Sequence, residues 1–210
     1  MNSDESTLPE GLNEALLRAG FGLGDDYLSL LRSNLGAAAP RQRVLALRGA
    51  VRQSLVTSDD WLTALRDDDL DVRREALTLL AYQPIPDRRV TDEMIGLLTD
   101  VDALVVDAAA FALGEHDCAD AVEALIVVAR EHDDARCRES AVAALGAIGD
   151  DRGRAAILGA LEDKAPVRRR AIVALANFEG PDIEAALTRA ADDRDWQVRA
   201  AVDQLERESD

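Results

Sequence analysis

The stretch VRREALTLL, residues 72–80, decides the fold. It opens on an apolar residue and an arginine, places Ala76 four residues on, and puts Leu79 and Leu80 at offsets seven and eight. On a helix of about 3.6 residues per turn those apolar positions share one face. The same frame returns as VVDAAAFAL from Val105, CRESAVAAL from Cys137, VRRRAIVAL from Val167 and VRAAVDQLE from Val198, with a weaker copy, QRVLALRGA, from Gln42. Successive starts are 30, 33, 32, 30 and 31 residues apart. A period of this length marks supersecondary units that bury their apolar faces against one another.

Offset four is alanine in five copies, at Ala46, Ala76, Ala109, Ala141 and Ala171, and a small side chain there lets neighbouring helices approach closely. Between the copies lie second amphipathic segments: DDYLSLLRSNL, DDWLTAL, TDEMIGLLT, ADAVEALIVVAR, GRAAILGALE and PDIEAALTRAA. Several open on Asp or Thr, which suit helix N-termini. Gly114, Gly149 and Gly180 stand where one helix pair hands over to the next, as helix stops do. Pro166 and Pro181 fall at helix starts, where a missing N–H costs little. The last copy differs, with Val202 at offset four and Glu206 at offset eight. A charge on the inner face fits a C-terminal cap with no further repeat beyond it. No alternating strand pattern is present, so the expectation is an all-α chain.

In these residues the chain resembles HEAT repeats, of the short-period kind also found in phycobilin lyase-related proteins. There a first helix ends in an acidic turn and a second helix opens with Val-Arg, as in DDDLDVRREA (67–76), DKAPVRRRA (163–171) and DDRDWQVRAA (192–201). HDDARCRESA (132–141) keeps the arginine and replaces the valine by Cys137. The resemblance implies a right-handed α-solenoid of about six HEAT-like hairpins over residues 25–208, with repeats near 25–55, 58–83, 90–115, 119–149, 151–179 and 181–208. Residues 9–24 read as an N-terminal capping helix and linker, and residues 1–8 as a disordered tail. The family also implies a structural ladder, in which Arg43, Arg73, Arg138, Arg168 and Arg199 bond turn aspartates drawn from Asp68, Asp100, Asp133, Asp163 and Asp193. The third repeat departs from it, with Val106 where the arginine belongs, and follows an enlarged loop, QPIPDRRV (83–90). That combination is either a locally weaker stack or a place adapted to a partner.

Composition narrows the function. The net charge is -17 and Lys164 is the only lysine. Such a surface repels a phosphate backbone and anionic lipid headgroups, so nucleic acid and membrane are not the expected partners. Electrostatic steering would favour a protein or peptide with a basic surface. Cys118 and Cys137 flank one helix of about a dozen residues, which at ~1.5 Å per residue parts them by roughly 18 Å, beyond disulfide reach. Reduced thiols, a polar N-terminus and the lack of a long apolar run point to a cytoplasmic protein. The oligomeric state is not legible.

Chemistry-bearing constellations are scarce. The only histidines, His116 and His132, sit in EHDC and REHDD at inter-helix turns, whereas a metal site needs several converging His, Cys or carboxylate ligands. No catalytic, metal or cofactor residue is therefore assigned, and no cofactor is expected. Trp61 and Trp196 read as packing or end-capping residues. The remaining feature is surface. In HEAT solenoids the second helices line the concave side, whose outward positions here are Arg48, Arg52, Arg74, Thr78, Tyr82, Phe111, Arg169, Val173 and Asn177. This stripe mixes arginine with the few aromatics, a composition favoured at interfaces. Phe111, at offset six, faces away from the helix-pair core unless curvature buries it between repeats. The expectation is a non-enzymatic scaffold or adaptor holding a protein or peptide on the concave face. The alternative is a lyase-like accessory or maturation enzyme.

Overall fold

A computed structural model of the chain describes residues 10–209, with side chains described for 11–205 and 207. The tail expected over residues 1–8 and the side chain of Glu206 lie outside the described residues. Every regular element among the described residues is helical. The chain divides into two compact units, residues 1–93 and 94–210.

The first unit holds α1 (Glu10–Gly20), α2 (Tyr27–Asn34), α3 (Pro40–Arg52), α4 (Ser58–Leu65), α5 (Leu70–Leu80) and the start of α6 (Arg88–Gly96). Helix α1 packs on α2 and α3, α2 on α3, α3 on α5, and α4 on α5. The second unit continues α6 through one tight turn and holds α7 (Ala103–Glu115), α8 (Val122–Glu131), α9 (Ala135–Ile148), α10 (Arg154–Gly159), α11 (Ala165–Ala174), α12 (Pro181–Ala190) and α13 (Trp196–Ser209). There α7 packs on α9, α9 on α11 and α11 on α13, while α8 and α12 pack on α9 and α13. Within each unit, second helices stack on successive second helices. Each unit is a stack of helical hairpins of the α-solenoid kind.

The offset-four alanines explain the stacking, since Ala46, Ala76, Ala109, Ala141 and Ala171 are all fully buried. Glycine brings helices closer still. A Cβ placed on Gly114 would lie 2.8 Å from Ala144 Cα, and one on Gly146 would lie 2.7 Å from Ala174 Cα. Gly114 is therefore a contact residue inside α7 and not the helix stop that its place in the sequence suggests. Gly149 does stop α9, in the left-handed conformation at φ 65°. Gly180 precedes α12 at φ 130°.

Helix starts follow the sequence. The carboxylates of Asp69, Asp102 and Asp134 each accept the N–H two residues on. Thr57 and Asp60 form a reciprocal cap on α4. Pro166 falls in the first turn of α11, and Pro181 is the first residue of α12. Trp61 is buried as a packing residue, but Trp196 is 67% exposed at the first position of α13. The apolar neighbours of α13, such as Val198 and Val202, turn the opposite face inward.

Candidate functional site

Two surfaces collect the residues singled out by sequence. One is the row of turns that leads into the second helices. There Arg43, Arg138 and Arg168 each span two turns. Arg43 donates Nε and Nη2 to the Asp67 carboxylate, both at 2.7 Å, and Nη1 to the carbonyls of Ala37 and Ala38. Arg138 repeats the pattern on Asp163 at 2.6 and 2.7 Å, with the carbonyls of His132 and Asp133. Arg168 repeats it on Asp193, with the Asp163 carbonyl. Arg73 takes the carbonyls of Asp67 and Asp68, and Arg199 the carbonyl of Asp193. Asp67, Asp163 and Asp193 thus accept with the carboxylate from one repeat and with the carbonyl from the next.

Two expected rungs change. Asp67, not Asp68, receives Arg43, and Asp68 contributes only its carbonyl. Four turn aspartates each accept a nearby backbone N–H. Asp67 holds that of Asp69, Asp100 that of Asp102, Asp163 that of Lys164 and Asp193 that of Asp195. Asp133 likewise gives Arg138 a carbonyl and not a carboxylate. The equivalent place in that turn belongs to His132, whose Nδ1 accepts the Asp134 N–H at 3.1 Å. The repeat that has Val106 in place of arginine therefore also has histidine in place of the carboxylate. Val106 is fully buried.

The charge pairs set the local electrostatics. The hydrogen bonds from Arg138 and Arg168 hold the Asp163 and Asp193 carboxyls below the ordinary range, and the aspartates in turn raise both arginines. Burial pushes the Cys137 thiol up to about 11. Its Sγ donates to the Ala103 carbonyl at 3.1 Å, so it serves as packing. Neither cysteine is in a disulfide.

The second surface is the outward side of the second helices. In the first unit its arginines are largely committed to neighbours. Arg48 is paired in two-pronged fashion with Glu75 at 2.5 and 2.6 Å. Arg52 lies over the Phe21 ring, 4.3 Å from its centroid. Arg74 pairs with Asp71 at 2.9 Å, and the Thr78 hydroxyl donates to the Arg74 carbonyl. Tyr82 is exposed at the end of this row.

In the second unit Phe111 is 41% exposed and Val173 52% exposed. Both stand at offset six of their copies, and Ala143 holds the same offset on α9 between them. Phe111 borders a groove of about 310 Å³ floored by Gly114, Ala143, Ala144 and Ala147 and rimmed by Glu115, Glu139 and Arg170. Arg169 and Arg170 approach Glu139 at 4.0 and 3.6 Å. Asn177 Nδ2 donates to the Gly146 carbonyl at 2.7 Å, which ties it to the end of α9.

Sequence reasoning missed a second set of pairs, between first helices. Arg32 bonds Asp60 and Arg66 bonds Glu93 in the first unit, and Arg154 bonds Asp182 in the second. Their offsets within the repeat vary, so no fixed frame reveals them. The bond from the Ser140 hydroxyl to Asp107, joining α9 to α7, was also missed. Among the described residues no group of three or more His, Cys, Asp or Glu is placed to hold a metal ion. None of the helices there is long and apolar enough to cross a membrane.

Comparison with known proteins agrees with this architecture. The HEAT repeats family matches residues 96–170. The sequence matches no curated protein. Among solved structures, the complex of CpcE and CpcF of phycocyanin lyase from Nostoc sp. PCC7120 aligns at a TM-score of 0.64 and 20% identity, over 96% of this chain and 79% of that one. An engineered protein aligns at 0.64 and 19% identity over 94% and 95% of the two chains. A designed armadillo repeat protein in complex with the peptide (KR)4 aligns at 0.57 and 15% identity over 93% and 98%. At these identities the likeness is one of fold.

Proposed function

We propose, from the premise that this chain is a HEAT-repeat protein, that it is a non-catalytic scaffold holding a protein or peptide segment on the second-helix face of residues 94–210. The observation that carries this reading is the exposed pair Phe111 and Val173, which stand at matching repeat positions on either side of half-buried Ala143. Large apolar side chains at matching repeat positions lie open on a chain whose net charge is -17. Exposed apolar groups in register, bordering a groove and rimmed by charge, mark interaction surfaces. Repeat stacks supply such surfaces by construction. The peptide named with the designed armadillo protein supports a peptide as the kind of ligand this fold accepts. The alternative of a lyase-like accessory enzyme rests on likeness of fold alone.

A random peptide library displayed on phage and selected on the full chain tests the reading. Selected peptides should bind the Phe111→Ser/Val173→Ser double variant at least tenfold more weakly, while its far-ultraviolet circular dichroism stays that of the parent. Selected peptides that bind parent and variant equally would remove this face from consideration.

A further inference from the structure

Resting on the scaffold reading, we propose that the groove beside Phe111 is a receptor for a single lysine or arginine side chain of a basic peptide. The side chain would lie over Phe111 and end at Glu115. Phe111 and Glu115 are four residues apart on α7, so they are neighbours on one helix face. The floor between them is Gly114 with Ala143, Ala144 and Ala147. A methylene stem fits along such a floor while its charged head stays at the rim. A cation over an aromatic ring is attracted by the ring's negative face. Glu115 is exposed, and no arginine bonds it among the described residues, whereas Glu139 across the groove already has Arg169 and Arg170 within 4.0 Å.

The helix end adds an independent argument for a cation. Helix α7 terminates at Glu115, and its last turn holds no basic residue. The last turns of α9 and α11 hold none either. A helix C-terminus carries partial negative charge, and a carboxylate placed there compounds it. A bound ammonium or guanidinium would relieve both at once. The chain's net charge of -17 draws basic segments from a distance, but only the local pair of ring and carboxylate distinguishes one site from the general field.

The test uses the full chain and a fluorescent (KR)4 peptide, with (NQ)4 as the uncharged control. Binding is followed by anisotropy at physiological salt. Glu115→Gln and Phe111→Leu should each weaken (KR)4 binding about tenfold. Glu131→Gln makes the same charge change at the end of α8 and should leave it unchanged. Equal weakening by Glu115→Gln and Glu131→Gln would mean attraction to the overall charge and would overturn the proposal, as would no binding of (KR)4 at all. The library selection separates this failure from that of the scaffold reading. Selected peptides that need Phe111 and Val173 but carry no Lys or Arg, and ignore Glu115→Gln, would leave the scaffold standing and refute the cation receptor.

Discussion

Arg168 reaches Asp193 with two parallel hydrogen bonds, Nε to Oδ2 at 2.9 Å and Nη2 to Oδ1 at 2.8 Å, while Nη1 serves the carbonyl of Asp163. The guanidinium is 5% exposed as a residue, so its removal leaves Asp193 with an uncompensated charge. Arg168→Ala should cost about 3–5 kcal/mol of unfolding free energy, the scale of breaking one half of a buried pair. Arg74→Ala, which removes only the exposed i,i+3 pair with Asp71, should cost under about 1 kcal/mol. Urea denaturation of both variants decides whether the turn arginines hold the stack or merely decorate it. Equal small losses would contradict the structural role assigned here.

The paired departure at Val106 and His132 gives a sharper experiment. If these residues occupy the places of Arg138 and Asp163 in the following repeat, the missing rung can be rebuilt. Val106→Arg alone buries an unpaired charge and should destabilise strongly, by roughly 3 kcal/mol or more. Adding His132→Asp should recover a large part of that loss. A double-mutant cycle is expected to show a favourable coupling of about 1–3 kcal/mol. Strict additivity would mean that the two positions do not face one another as the repeat register requires.

Glycines divide by the reason they are needed. Gly146 has ordinary helical neighbours, but a methyl group there would meet the backbone of Ala174, with Cα at 2.7 Å. Gly146→Ala gains helix propensity of about 1 kcal/mol and loses it again by forcing α9 and α11 apart, a cost of ~1–3 kcal/mol. Gly149 has room, and only its left-handed backbone resists substitution, at about 1 kcal/mol. Gly149→Asn should therefore restore much of what Gly149→Ala loses, because asparagine tolerates that conformation. At Gly146 asparagine should be worse than alanine. Thermal melts of the four variants read out the two orders.

What was legible in the sequence was whatever repeats. Val72, Val105, Val167 and Val198 recur in register because each fills the same buried notch, so a period of about thirty residues exposes helix, face and stacking neighbour together. The arginine ladder was legible in outline for the same reason. The identity of each accepting aspartate was not, since Asp67, Asp68 and Asp69 are equivalent as letters, and only their places in the turn bring the Asp67 carboxylate to Arg43 and leave that of Asp69 to cap α5. Gly114 misled because a glycine near a helix end reads as a stop, while its contact with Ala144 comes from thirty residues away. Trp196 was read as packing or end-capping, and its exposure at the first position of α13 removes the packing alternative. Arg48 and Arg52 entered the candidate site by helical phase alone. Phase cannot reveal that Glu75 and Phe21 already engage them.

The response to pH joins these local pairs to the charge of the whole chain. Asp163 and Asp193, held below the ordinary carboxylate value by Arg138 and Arg168, bind fewer protons when folded than when unfolded. So does Asp150, held at about 2 by Arg152. Their contribution to stability is complete above the unfolded aspartate value near 3.8 and is lost as the pH falls through the lower folded values. Above that window the sign reverses. The chain carries -17 at pH 7 and has a pI near 4.5, so protonation between those points relieves self-repulsion in the compact state. Urea midpoints should therefore rise from pH 8 to about pH 5 and fall steeply below roughly pH 3.5. Sodium chloride at 0.5 M should flatten the upper limb by screening and leave the lower limb in place, because the ladder pairs are partly shielded from solvent. In Arg138→Gln/Arg168→Gln stability should start lower and the acid limb should become shallower, since Asp163 and Asp193 would then titrate near their unfolded values and bind as many protons folded as unfolded. An acid limb as steep in this variant as in the parent would show that other carboxylates govern acid unfolding.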